Sequence, residues 1–166
     1  MSKFFYPLID NPYRKKDINK AIEVLKSFKI TSGIKTINFQ NSFKKKIKAN
    51  NALMVNSGSS ANLLALQCLI NPYRKKRLRK GDEILIPSLC WSTSLWPIIQ
   101  SGLKPKFVDI EKATLNIDLK DLKSKITKKT KGVLIVHVLG NSTNMNELMK
   151  IKNKHNLYLI EDTCES

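Results

Sequence analysis

Long apolar runs are scarce in this chain. The apolar piece near the start, Phe4-Phe5-Tyr6-Pro7-Leu8-Ile9, is too short for a signal-peptide core or a membrane-spanning helix, so the sequence predicts a cytoplasmic protein with no membrane partner. Cysteine is scarce too. Cys68, Cys90 and Cys164 are too far apart for a C-x-x-C metal or redox pair, so no metal site is expected, and an odd, unpatterned count suits a reducing compartment. Acidic residues are few, 13 against 30 basic ones, which leaves a formal net charge of +17. A balance of that size raises one reading, a basic nucleic-acid-binding domain. The shortage of arginine argues against it. Only Arg14, Arg74, Arg77 and Arg79 of the 30 are arginine, so 26 are lysine, whereas base-edge and bidentate phosphate recognition favour arginine. The lysines are spread among polar residues, as solvated surface charge is. Neither a Walker A loop nor a G-x-G-x-x-G is present, so the usual nucleotide motifs do not apply.

What the sequence does contain is alternation. Asp17 is expected to open a helix on which Ile18, Ala21, Ile22, Leu25 and Phe28 recur at helical spacing, ended by Thr31-Ser32-Gly33. A second, lysine-rich helix is expected over 39–48. The run Ala52-Leu53-Met54-Val55 reads as a strand, followed by the small-residue turn Asn56-Ser57-Gly58-Ser59 and a helix from Ser60 to the stop signal Asn71-Pro72. Further strands are expected over 83–87, 105–109, 132–138 and 157–160. Between them lie a helix ending at Gly102, with Pro97 tolerated in its first turn, a helix capped by Asp118, and one opened by an Asn144/Glu147 capping box. The hexapeptide Asn-Pro-Tyr-Arg-Lys-Lys occurs at both 11–16 and 71–76, but the flanks differ, which is coincidence in a biased composition rather than a repeat.

Strands alternating with helices predict an α/β fold with a mostly parallel sheet and helices on both faces. Ligands in such sheets bind beyond the strand C-termini. Four features gather there: the Gly58-Ser59 turn, the Cys90-Trp91-Ser92 loop, the segment from His137 to Asn141, and Glu161-Asp162. Free N–H groups at the start of a helix favour an anion, and Gly58 lets it approach without a Cβ in the way. A phosphate cup, an indole and a carboxylate suit pyridoxal 5'-phosphate (PLP). Its phosphate would sit on Gly58 and Ser59, its ring on Trp91, and its pyridine nitrogen against Asp162. Each residue also has a plainer account: a serine-capped helix, a core or interface aromatic, and a helix or loop cap. His137 reads as a strand-closing residue and is not placed in the site.

The chain from Asp17 to Ser166 resembles the N-terminal part of the DegT/StrS-type sugar aminotransferases, PLP enzymes of the aspartate-aminotransferase fold (fold type I). The resemblance rests on Asn56-Ser57-Gly58-Ser59-Ser60-Ala61, Gly81-Asp82-Glu83-Ile84-Leu85-Ile86-Pro87, Phe107-Val108-Asp109, Lys129-Thr130-Lys131-Gly132, His137-Val138-Leu139-Gly140 and Glu161-Asp162, in that order and spacing. It implies that Gly58 and Ser59 contact the cofactor phosphate, Trp91 stacks on the ring and Asp162 meets the pyridine nitrogen. It also implies that Glu165 contacts the ring hydroxyl, in a position where many relatives have glutamine. The wording of Glu-Asp-Thr-Cys-Glu, Pro97-Ile98-Ile99-Gln100 and the basic insertion before Gly81 is similar to the CDP-4-keto-6-deoxyhexose 3-dehydrase branch. Members of that branch use PLP or pyridoxamine 5'-phosphate (PMP) and carry histidine where aminotransferases carry lysine. That position follows the Glu-Asp strand in the family, so no catalytic residue is expected among these 166. The implied organisation is an N-terminal arm and helix over 1–33 and an incomplete PLP-binding large domain over 34–166. The implied whole is a homodimeric enzyme acting on a nucleotide-linked keto sugar for surface polysaccharide synthesis, with this chain a fragment, half of a split enzyme or a non-functional truncation product.

Overall fold

The structure, a computed structural model, describes residues 12–166; the apolar residues 4–9 lie outside them. Helix α1 (Lys15–Lys26) begins two residues before Asp17. From inside the first turn the Asp17 carboxylate accepts the Arg14 backbone N–H at 3.0 Å and its Nε–H at 3.1 Å, so it fixes the helix start rather than preceding it. The helix ends at Ser27, where Phe28 turns left-handed (φ 56°), ahead of Thr31-Ser32-Gly33. Gly33 instead caps α2 (Ile34–Lys46), which starts five residues before the expected 39. Neither helix carries a buried residue. The chain forms two compact units, divided between Met54 and Val55, and α2 belongs with the first. The expected strand over 52–55 does not form. A strand exists through its ladder, and Ala52–Val55 pairs with no strand among the described residues; Leu53 is exposed.

The second unit is a four-stranded parallel sheet in the order β2-β1-β3-β4, with β1 Glu83–Pro87, β2 Lys104–Val108, β3 Thr130–Val136 and β4 Tyr158–Asp162. Strand β4 runs two residues past the expected end, so Glu161 and Asp162 belong to the ladder, Asp162 opposite Val136. Strand β3 stops at Val136, before His137. Helices α3 (Gly58–Ile70) and α4 (Ser92–Gln100) cover one face. There Leu66 and Ile98 pack on Ile84, Ile86 and Leu134. Helices α5 (Leu119–Lys125) and α6 (Met145–His155) cover the other, with Leu119, Leu122, Leu148 and Ile151 on Leu85, Val133 and Ile135. Alternate residues of β1 and β3 thus serve opposite faces, as the two-residue period of a strand requires. Asp118 caps α5 as expected, and the Asn144 side chain accepts the Glu147 N–H at 3.2 Å, but the Glu147 carboxylate accepts from Lys123 Nζ at 2.6 Å rather than from the Asn144 backbone, so the expected capping box is half made. Pro97 lies past the first turn of α4, inside the helix and buried, not in the first turn.

The connections open a space at one end of the sheet. From β1 the chain crosses to β2 on one side, then to β3 on the other. Between the C-terminal ends of β1 and β3 the winding reverses, and a crevice forms there.

Candidate functional site

Three elements end at that crevice. Helix α3 starts with Ser57 as its cap, and the Ser57 hydroxyl oxygen accepts the Ser60 N–H at 3.2 Å. That satisfies the third free donor of the helix. The first two, the N–H groups of Gly58 and Ser59, have no partner among the described residues and face outward with the positive end of the helix dipole behind them. The helix therefore begins at Gly58, two residues before the expected Ser60. A Cβ on Gly58 would meet only the Cys164 Sγ, at 3.9 Å. The protein itself has room for a methyl group, so what glycine provides is open space in front of the two donors.

From the end of β1, residues 88–91 lead to Trp91, which caps α4 and is 75% exposed. That exposure excludes a core role in this chain and leaves an indole face open. From β4 comes Asp162, the most highly connected side chain of the site. Its Oδ2 accepts from Asn62 Nδ2 of α3 at 2.9 Å and from Ser94 Oγ of α4 at 2.8 Å. Its Oδ1 accepts the Cys164 N–H at 3.2 Å. Asp162 does cap the turn after β4, but two helices also hold it. Burial, and then the negative charge of Asp162, push the Cys90 thiol up from its ordinary value.

Gly58, Ser59, Trp91, Asp162 and Glu165 all line one cavity of about 570 Å³. Asn62, Ser94, Cys90 and Cys164 share it. Glu165 has one carboxylate oxygen already engaged, accepting the N–H of Leu139, a non-glycine residue held at φ 53° in the short turn Val138–Gly140. Such a conformation costs on the order of 1–2 kcal/mol, and the Glu165 contact helps offset it. His137 is structural. Its backbone N–H donates to the Asp162 carbonyl, its Nδ1 accepts the Thr143 N–H at 3.1 Å, and its Nε2 lies 3.1 Å from the Glu161 carboxylate. The ring therefore ties β3, β4 and the loop before α6 together.

Sequence reasoning missed Asn62 and Ser94. Each left a faint signal: Asn62 is an amide in a mostly apolar helix, one turn after Gly58 and so on the face that Gly58 opens. Ser94 follows Trp91 by three residues and is fully buried, which a serine tolerates only with a partner.

Comparison with known proteins gives a consistent neighbourhood. The model of the DegT/DnrJ/EryC1/StrS aminotransferase family matches residues 12–166. The chain is 42% identical over 161 residues to the GDP-4-keto-6-deoxy-D-mannose 3-dehydratase of Escherichia coli O55:H7, and 38% identical over 161 residues to that of Yersinia pseudotuberculosis. Each alignment covers 97% of this chain and 41% of the relative, so the chain spans about two fifths of the length of these relatives. The solved structure of the E. coli dehydratase with bound hydrated PLP superposes with a TM-score of 0.92 at 41% identity, covering 98% of this chain and 41% of that one. An aminotransferase from Psychrobacter cryohalolentis superposes with a TM-score of 0.85 at 28% identity, covering 96% of this chain and 40% of that one. These two dehydratases are named for GDP-linked sugars, not for the CDP-linked ones of the branch the sequence wording resembles.

Proposed function

This chain belongs to the DegT/DnrJ/EryC1/StrS aminotransferase family, and from that premise we propose that it is the N-terminal, cofactor-binding part of a PLP- or PMP-dependent enzyme. The substrate proposed is a nucleotide-linked 4-keto-deoxy sugar, the reaction its 3-dehydration or the transfer of an amino group to it, and the product a precursor for surface polysaccharide. The names of the GDP-sugar dehydratases and of a lipopolysaccharide biosynthesis relative support the substrate class and the setting. The cytoplasm is where nucleotide sugars are available, and no described helix is long and apolar enough to cross a membrane.

One observation carries the reading. Two unpartnered N–H groups, an open indole face and a multiply bonded carboxylate converge on a single cavity. These residues fit PLP. Gly58 and Ser59 bind its phosphate, Trp91 stacks on its ring, and Asp162 holds the proton at the pyridine nitrogen. Glu165 has one oxygen left for the ring hydroxyl. When bound, the cofactor supplies an electron sink for bond changes on the attached sugar. The unit from Val55 carries every one of these residues. The whole enzyme is proposed to be a homodimer, which is supported by the exposed Ile18, Ile22, Phe28, Ile34 and Phe39 in and beside α1 and α2. Nucleic acid is not a proposed partner, because the positive charge is mostly lysine spread over the surface.

Titration with PLP, followed by tryptophan fluorescence or cofactor absorbance, tests the assignment. Gly58→Val is expected to block binding by filling the space before the cup. Trp91→Ala is expected to weaken it by about 1–3 kcal/mol, the size of a base stacked on an aromatic side chain. Asp162→Asn should retain much of the phosphate binding while losing the charge opposite the pyridine nitrogen. Parent-like binding by all three variants would overturn the site.

A further inference from the structure

Resting on that cofactor reading, we propose that Asn62 and Ser94 are positioning residues for Asp162, pinning its Oδ2 so that Oδ1 alone is offered to a protonated ring nitrogen. A carboxylate accepts at about four positions, two on each oxygen. Asn62 Nδ2 and Ser94 Oγ fill both positions on Oδ2, at 2.9 and 2.8 Å. The Cys164 N–H takes one on Oδ1, at 3.2 Å, and a single position on Oδ1 remains. A carboxylate only accepts, so both side chains are donors, and the Asn62 amide orientation is settled by its partner.

The two donors are themselves fixed. Asn62 is 8% exposed on α3, and Ser94 is fully buried on α4. They come from the two helices that cover one sheet face, while Asp162 ends β4 on a backbone held by His137 and by the ladder to Val136. Rotating the carboxylate would break three hydrogen bonds at once and leave two buried donors unpaired. The site thus aims one charged oxygen with the precision that a charge-assisted hydrogen bond needs.

The test compares PLP with 1-deaza-PLP, which has the same phosphate and ring shape but no ring nitrogen. Both are titrated into the 166-residue chain and into Ser94→Ala, Asn62→Leu and Asp162→Asn. The parent is expected to prefer PLP, and Asp162→Asn to erase the preference. Ser94→Ala and Asn62→Leu are each expected to cut it by about three- to tenfold, the range for losing one hydrogen bond of ordinary net strength, while affinity for the deaza analogue stays within about twofold of the parent. That second affinity reports whether the variants remain folded. Equal losses for both ligands would mean a merely structural role, and unchanged ratios no role; either overturns the inference while leaving the cofactor reading intact. A parent with no preference, or with no binding, overturns both.

Discussion

At the scale of single residues the cavity makes its charge known through Cys90. Burial and the Asp162 carboxylate both raise its thiol above its ordinary value. A raised value means fewer thiolates at a given pH, and the thiolate is the nucleophile. Half-buried and with its thiol raised, Cys90 is therefore expected to be the slowest of the three cysteines to alkylate at pH 8. Removing the neighbouring charge lowers the thiol again, so Asp162→Asn should speed Cys90 alkylation at fixed pH. Mass-spectrometric alkylation rates across pH check both statements, and a Cys90 rate indifferent to Asp162→Asn would contradict them. All five residues expected to contact the cofactor line this cavity, four of them singled out by chemistry as glycine, serine, tryptophan and aspartate, and Glu165 by the family resemblance. Asn62 and Ser94 were not legible in the same way. Their shared partner lies 100 and 68 residues away, and no local pattern records a contact across that distance.

At the scale of elements, periodicity and caps served well where both faces of a segment find neighbours. Strand β1 forms over the expected 83–87, and α5 and α6 start at the expected caps. The run at 52–55 fails for the complementary reason: an apolar run becomes a strand only when a neighbour completes its ladder. The repeated hexapeptide makes the same point. Among the described residues, its first copy runs from 12–14 into the start of α1 at Lys15, while the copy at 71–76 forms turns, so flanks and contacts decide the conformation. Gly132 shows how tightly the sheet is drawn where neighbours exist. A Cβ there would stand 2.9 Å from Ile84 Cδ1 and 3.3 Å from the Tyr158 carbonyl oxygen. The isoleucine tip can move, but the carbonyl belongs to β4 and cannot move without disturbing the ladder. Gly132→Val is expected to destabilise the second unit by about 1–3 kcal/mol, the usual cost of overpacking, read as a lowered thermal midpoint. An unchanged midpoint would show that β3 and β4 yield more readily than this spacing allows.

At the scale of the whole molecule, two features oppose each other. The net charge of +17 favours separation of copies, while strand β4, at the edge of the sheet among the described residues, and the exposed apolar residues of α1 and α2 favour association. Short-range apolar burial outweighs screened charge at physiological salt, where the Debye length is about 8 Å. The isolated 166-residue chain is expected to sediment as dimers or larger species, more so as salt is raised. Attraction to nucleic acid would show the opposite salt dependence, falling steeply as counterions compete. A sharply melting monomer at all salt concentrations would contradict the expected association.

The sequence by itself determined the α/β class, the parallel sheet and, the failed strand at 52–55 apart, the order of its helices and strands, because each of these is written in local spacing. Only the tertiary structure decided that α3 begins at Gly58, that β4 extends to include Asp162, and that Asn62 and Ser94 grip one of its oxygens. Those outcomes depend on which strand lies beside which and where the winding reverses. They are set by packing between segments far apart in the chain, and no window of neighbouring residues contains them.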